Sequence, residues 1–375
     1  MQHSISMVDL KAQYALIKDE IDKGISEVID NTAFINGPAV KSFQKNLSDY
    51  LGGAHVIPCA NGTDALQIAM MALDLQPGDE IITADFTYVA TAEVIALLQL
   101  KPILVDVDPR TFNIDLAQME AAIGPRTKAI VPVHLFGQCA DMAPILAIAA
   151  KHNLYVIEDT AQAIGATYTF PDGRQAKAGT MGTIGCTSFF PSKNLGCYGD
   201  GGAIFTNDAQ LAEKIRVIAN HGQKVQYYHD EIGVNSRLDS LQAAVLNAKL
   251  PHLDRYNTTR RWAADYYNEA FADVSWLVTP LISKNSTHVF HQYTLQLDEK
   301  LDRQALRDHL TALGIPSMIY YPVPLHQQKA YEQAGTFPVT EKLCRSVFSL
   351  PMHSELTVEV LDYIIEGVKS FSKLG

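Results

Sequence analysis

The chain of 375 residues is 47% hydrophobic and 19% charged, which suits a soluble globular protein with one large domain plus a smaller one, or two comparable domains. Its 30 Lys and Arg face 41 Asp and Glu, a net charge of −11 that argues against general nucleic-acid binding and against docking on anionic lipid. An anionic small substrate is still admitted, because a pocket can be locally basic.

The first segment reads as helix, with Tyr14, Ile17, Ile21, Ile25 and Val28 at spacings of three and four. Asn36-Gly37-Pro38 ends it, and a second amphipathic helix carries Phe43, Leu47 and Tyr50. An alternation then begins. Short apolar strands fall near 55–58, 80–83, 102–105, 129–133 and 154–157, with helical patterns at 64–73, 90–100, 116–123 and 142–152. Strands rich in Val, Ile and Leu, separated by helices, predict an α/β fold with a mostly parallel central sheet covered on both faces. Ligands on such a sheet sit outside the carboxyl ends of the strands, so strand-end residues are the ones to read for chemistry. Apolar stretches at 187–190 and 202–206 flank a glycine-rich turn, and a helix over 209–219 follows. The stretch 240–271 reads as a long helix interrupted at Pro251, a bridge to a second unit. The tail holds strands at 289–297 and 317–320 and helices at 303–313 and 358–371. The expected organisation is a large domain over residues 1–250 and a smaller C-terminal α+β domain over 251–375.

Cys59, Cys139, Cys186, Cys197 and Cys344 are scattered, odd in number and form no C-x-x-C pair. Reduced thiols in a cytoplasmic enzyme are expected, not a disulfide frame or a zinc site. Met1 to Leu10 lacks a charged start followed by an apolar core, and no apolar run reaches spanning length, so neither a signal peptide nor a membrane segment is expected. There is no P-loop, no G-x-S-x-G elbow, no H-E-x-x-H, and no G-x-G-x-x-G joining an early strand to a helix. His288 and His291 lie in a strand-like run that would put them on opposite faces, which argues against a metal pair.

Three segments carry positive signals. Asn61-Gly62-Thr63-Asp64-Ala65-Leu66 follows a strand and opens a helix, the arrangement by which a helix N-terminus holds a phosphate. An ordinary helix cap by Thr63 or Asp64 would give the same pattern. Asp159, in Ile157-Glu158-Asp159-Thr160-Ala161-Gln162, ends a strand, where a buried carboxylate needs a cationic partner. A protonated pyridine nitrogen would serve; helix capping is the alternative. Lys193, in Ser188-Phe189-Phe190-Pro191-Ser192-Lys193-Asn194-Leu195-Gly196, sits between an apolar strand and the turn Gly199-Asp200-Gly201-Gly202. A lysine in a partly desolvated site loses its charge more easily and can form an imine. Ser188 could bind the same phosphate as Thr63. A phosphate cradle, a strand-end Asp and a strand-end Lys on one parallel sheet supply the main requirements of a pyridoxal-phosphate site.

At these residues the sequence resembles the DegT/StrS family of nucleotide-sugar aminotransferases, which have the aspartate-aminotransferase fold (pyridoxal-phosphate fold type I). The resemblance runs from Asp9-Leu10 to Leu350-Pro351-Met352-His353 and includes Asn235-Ser236-Arg237-Leu238-Asp239. Asp85-Phe86-Thr87-Tyr88-Val89-Ala90-Thr91, Gly137-Gln138-Cys139-Ala140-Asp141 and Gly196-Cys197-Tyr198-Gly199-Asp200-Gly201-Gly202 are similar to one subgroup. Its members aminate C3 of UDP-2-acetamido-2-deoxy-3-keto-glucuronic acid with L-glutamate, for lipopolysaccharide or another surface glycan. The resemblance implies that Lys193 bonds covalently to pyridoxal 5'-phosphate and moves the proton between the donor carbon and the cofactor. It implies that Asp159 pairs with the pyridine nitrogen, Gln162 bonds the ring hydroxyl and Tyr88 stacks on the ring. Gly62, Thr63 and Ser188 would hold the phosphate, joined by Asn235 from the partner subunit of a homodimer with shared active sites. Arg237, also from the partner, would bind a carboxylate or form an intersubunit ion pair. Ile319-Tyr320-Tyr321-Pro322-Val323-Pro324-Leu325-His326 matches a family segment near the sugar, which implies substrate contacts for Tyr321 and His326. That subgroup carries His where this chain has Tyr320. Other readings are amination of another 3-keto or 4-keto nucleotide sugar, and a non-catalytic regulator that holds cofactor or nucleotide sugar. A sugar dehydratase of the same fold carries His in place of the lysine, against Lys193.

Overall fold

The computed structural model describes residues 5–331 and 333–371. The first four residues of the Met1–Leu10 reading lie outside it. Three helices open the chain: α1 (Leu10–Leu16), α2 (Lys18–Asp30) and α3 (Pro38–Tyr50). The single helix expected through Tyr14 and Val28 is split at Ile17, whose φ of −127° and ψ of 25° leave the helical region. Its apolar spacing continues across the break because both pieces face the same layer.

The alternation then runs β1 (His55–Cys59), α4 (Gly62–Ala72), β2 (Glu80–Ala84), α5 (Ala90–Leu97), β3 (Lys101–Val105), α6 (Leu116–Ala121), β4 (Thr127–Val131), α7 (Met142–His152) and β5 (Tyr155–Asp159). A hairpin of β6 (Thr167–Thr169) and β7 (Gln175–Lys177) precedes β8 (Ile184–Ser188) and β9 (Gly202–Thr206). Then come α8 (Ala209–Ala219), a hairpin of β10 (Gln223–Val225) and β11 (Tyr228–His229), α9 (Ser240–Lys249) and α10 (Leu253–Ala270). The remaining elements are β12 (Leu277–Val278), β13 (Tyr293–Leu297), α11 (Arg303–Ala312), α12 (Pro338–Ser346), β14 (Val347–Leu350) and α13 (Val358–Phe371).

Seven strands form the main sheet in the order β1-β9-β8-β5-β4-β2-β3. Neighbours from β8 to β3 are parallel, and β9 runs against both β1 and β8. This is the aspartate-aminotransferase fold, fold type I. One face is covered by α4, α5 and α8 through Leu66, Ile68, Val94 and Ile215. The other packs Met142 and Ile145 of α7 with Phe86, Phe112 and Phe136. Against the β1–β9 edge, Phe43 and Leu47 of α3 and Leu246 of α9 enclose Phe189 and Phe205. A further core gathers Tyr267, Tyr293, Leu306, Phe348 and Ile364 around the antiparallel sheet β12-β13-β14.

Three expected strands shift. The one read at 187–190 is β8, which starts three residues earlier and ends two earlier, because Gly185 to Ser188 pair with Phe205 to Gly202 while Phe189 and Phe190 have already left the sheet. The one read at 289–297 forms only over Tyr293–Leu297. Ahead of it, side chains take the backbone carbonyls: Asn194 holds that of Val289, and Arg260 holds those of Phe290 and His291. The one read at 317–320 reduces to a bridge between Met318 and Ser349.

Candidate active site

The carboxyl ends of β1, β2, β5 and β8 meet at one edge of the sheet, and the sequence-selected residues other than Asn235 and Arg237 gather there. At the start of α4, Asn61 caps the helix by accepting from the Asp64 amide at 2.8 Å. Asn61 therefore fills the capping role that the sequence offered to Thr63 or Asp64. The Gly62 and Thr63 amides precede the first turn's acceptors and point out of the helix end. A Cβ on Gly62 would stand 2.7 Å from Ser188 Cβ, so the absence of a side chain keeps β8 and the helix start in touch. Two outward amides, two hydroxyls and the positive end of a helix dipole suit a phosphate.

Asp159 ends β5 and is 7% exposed. Its backbone is clamped on both sides: His134 N–H donates to its carbonyl at 2.9 Å, and its own N–H donates to Pro132 at 3.0 Å. One carboxylate oxygen accepts from Thr91 Oγ1 at 2.9 Å, the other from the Ala161 amide at 3.1 Å. Among the described residues no Lys, Arg or His forms an ion pair with it. A buried carboxylate with neutral donors only is suited to a cationic ring nitrogen. Behind it, Glu158 is fully buried and accepts from His134 Nε2 (2.9 Å) and from the amides of Gly179 (2.9 Å), Met181 (2.7 Å) and Gly182 (2.6 Å).

Lys193 sits in the loop between β8 and β9. Its amide donates to Phe190, while Phe189 is tied to both Gly201 and Cys197. Lys249 Nζ, buried on α9, braces the loop by donating to the Gly196 carbonyl at 2.8 Å. Burial around the amine lowers the Lys193 pKa to about 8, against the upward pull of the Asp159 charge. The side chain as a whole is only half-buried, so access and desolvation coexist at its tip. An amine in this state can attack a carbonyl near neutral pH.

Gln162 joins two walls of the cleft. Its Oε1 accepts from the Phe136 amide at 2.7 Å, and its Nε2 donates to the Tyr321 hydroxyl at 3.0 Å. Tyr321 is partly buried, with its ring centroid 6.3 Å from that of Tyr88. Tyr88 is 56% exposed. Asn235 and Arg237 stand apart. Asn235 is exposed and Arg237 half-exposed, and among the described residues neither side chain bonds to the rest of the group. Between them, Ser236 accepts from the Ala60 amide at 3.1 Å, which places the segment beside the phosphate cradle. His326 is 6% exposed and faces Asp85 at 2.6 Å.

The sequence reading assigned no role to Thr91, Glu158, His134 or the Phe136 amide. Thr91 was within reach, since it closes the quoted segment from Asp85. The Glu158–His134 pair and the Phe136 amide depend on loop packing that leaves no local pattern.

A phosphate cradle, a buried carboxylate met only by neutral donors and an amine of lowered pKa on this sheet define a pyridoxal-phosphate aminotransferase of fold type I. The donor set fits the cofactor group by group: phosphate, ring nitrogen and carbonyl. The pattern of the DegT/DnrJ/EryC1/StrS aminotransferase family matches residues 15–369, and the chain belongs to that family, as a nucleotide-sugar aminotransferase. It is 50% identical to the UDP-2-acetamido-2-deoxy-3-oxo-D-glucuronate aminotransferase of Pseudomonas aeruginosa, over 94% of this chain and 96% of that one. It is 49% identical to the UDP-N-acetyl-3-dehydro-alpha-D-glucosamine 3-aminotransferase of Acidithiobacillus ferrooxidans, over 98% and 97%. Among solved structures, S. venezuelae DesV in complex with a ketimine intermediate superposes with a TM-score of 0.94 at 36% identity, covering 99% of both chains. No helix among the described residues is long and apolar enough to cross a membrane.

Proposed function

We propose that this chain transfers the amino group of L-glutamate to C3 of a UDP-linked 3-keto-2-acetamido uronic acid, in surface polysaccharide biosynthesis. The observation that carries the reading is the likeness to the Pseudomonas protein along nearly the whole chain. The name of the Acidithiobacillus relative also specifies a 3-keto UDP sugar, but without the carboxylate.

Bound pyridoxal phosphate supplies the electron sink that makes the α-proton of the amino donor acidic. With the cofactor bound, Lys193 Nζ would carry that proton from the glutamate α-carbon to the cofactor, and in the second half-reaction would carry one from the cofactor to C3 of the sugar. Its lowered pKa keeps a useful fraction neutral near pH 7.5. Asp159 holds the proton on the ring nitrogen. Gln162 donates or accepts at the ring hydroxyl, steadied by Tyr321. Gly62, Thr63 and Ser188 hold the phosphate, Tyr88 covers the ring, and Tyr321 and His326 belong to the wall on the sugar side. Asn235 and Arg237 act across a homodimer, Asn235 at the phosphate and Arg237 at a carboxylate. A guanidinium fork suits both glutamate and a uronic acid, which occupy one site in turn.

The test is the visible band of the reconstituted protein before and after L-glutamate, for wild type and Lys193→Ala, followed by UDP-linked 3-keto sugars with and without the C6 carboxylate. Conversion in wild type alone, and amination of the uronic acid in preference, is the expected result. A band that ignores glutamate excludes that donor. Equal turnover of both sugars removes the uronic acid from the reading.

A further inference from the structure

His326 belongs to a segment read as facing the sugar, yet its ring is committed elsewhere. Nδ1 lies 2.6 Å from Asp85 Oδ2, and the His326 amide donates to Asp85 Oδ1 at 2.8 Å. The Leu325 amide reaches the Asp85 carbonyl at 3.3 Å. Nε2 is 3.6 Å from Glu341, and the ring rests on Phe337 with centroids 4.5 Å apart. Asp85 is fully buried, one residue beyond β2 and three before Tyr88. Both of its oxygens therefore engage a single residue, 241 positions away in the chain.

Asp106, one residue beyond β3, does the same for the start of α12. It accepts from the Val339 amide (2.9 Å), the Thr340 amide (2.8 Å) and the Thr340 hydroxyl (2.7 Å). β2 and β3 are parallel, with Ala84 opposite Val105, so the two carboxylates leave adjacent strand ends. They pin His326 and Thr340 to the carboxyl edge of the sheet. Pro322 and Pro324, whose rings restrict φ, stiffen the short link from His326 back to Tyr321. Tyr321 in turn meets Gln162 at 3.0 Å.

We propose that Asp85 is a positioning residue that grips His326 through Nδ1 and the backbone N–H and thereby sets Tyr321 against Gln162 at the cofactor's edge. His326 is then a strut within the cleft wall, not a ligand of the sugar. The inference rests on the proposed roles of Gln162 and Tyr321. The grip is strong because the pair is charge-assisted and shielded from water.

The two ring nitrogens can be separated by substitution. An Asn amide puts a nitrogen near the place of Nδ1, and a Gln amide puts one near the place of Nε2. Two readouts on the holoenzyme follow: the rate of trypsin cleavage after the exposed Lys329, and the rate at which L-glutamate discharges the visible band. His326→Asn should stay within about threefold of wild type in both, while His326→Gln and Asp85→Asn should cleave about tenfold faster and respond about tenfold more slowly. Glu341→Gln should resemble wild type, because the Nε2 contact is not part of the grip. A His326→Gln protein that behaves as wild type, or a Glu341→Gln protein that loses both properties, overturns the proposal. Should wild type ignore glutamate, the donor assignment fails and the cleavage rates still decide the strut.

Discussion

Thr91 Oγ1 donates to Asp159 Oδ2 across 2.9 Å, joining the first turn of α5 to the end of β5. It is the only side-chain donor to that carboxylate among the described residues. A hydrogen bond to a charged group contributes about 1.5–3 kcal/mol. Thr91→Val keeps the shape and removes the donor. The expected result is a cofactor affinity about tenfold weaker with the fold intact, read by absorbance titration with pyridoxal phosphate.

Cofactor loading should depend on pH through Lys193. The amine's pKa is lowered to about 8, so its neutral fraction grows about tenfold per pH unit below that value and levels above it. The rate at which apoprotein acquires the visible band should follow this curve. The same shift bears on stability. Between about pH 8 and the ordinary lysine value, the unfolded chain binds more protons than the folded one, so this group's contribution to stability rises with pH across that window. Lys193→Met should flatten that slope in urea unfolding of the apoprotein.

Glu158 is a stability residue. Four donors converge on its carboxylate: His134 Nε2 and the amides of Gly179, Met181 and Gly182. Glu158→Ala leaves them buried and unpaired, at a cost of about 3–5 kcal/mol. Urea unfolding of the apoprotein should show this loss, and Glu158→Gln should lose less because its carbonyl still accepts.

Gly62→Ala tests the cradle. The added methyl would lie 2.7 Å from Ser188 Cβ, which forces the helix start and the end of β8 apart. The phosphate would lose the convergence of its donors, and cofactor affinity should drop by about tenfold or more while the secondary structure by circular dichroism is unchanged. A variant that binds the cofactor like wild type would remove Gly62 from the phosphate site.

Shared active sites can be tested by mixing. Lys193→Ala and Arg237→Ala homodimers should each be inactive. After subunit exchange, half of the dimers carry both lesions in one of the two sites and an intact second site. About a quarter of wild-type activity should return. No recovery would place Arg237 in its own subunit's site.

The sequence by itself determined the α/β alternation and where its strands end, and it singled out Asp159 and Lys193 beside those ends. Those signals are local: apolar periodicity shows where strands stop, and glycine and proline show where the chain turns. The same local signal misled at Ile17, where apolar spacing runs on through a broken helix, and at 289–291, where side chains of Asn194 and Arg260 replace a strand partner. Only the tertiary structure decided the partners of the site residues. Thr91 meets Asp159 across 68 positions, Gln162 meets Tyr321 across 159, and Asp85 meets His326 across 241. Contacts at such separations are set by how helices pack on the sheet and how the last third of the chain folds back over its edge. A buried carboxylate accepts whichever donor that packing delivers, and no spacing along the chain records the choice.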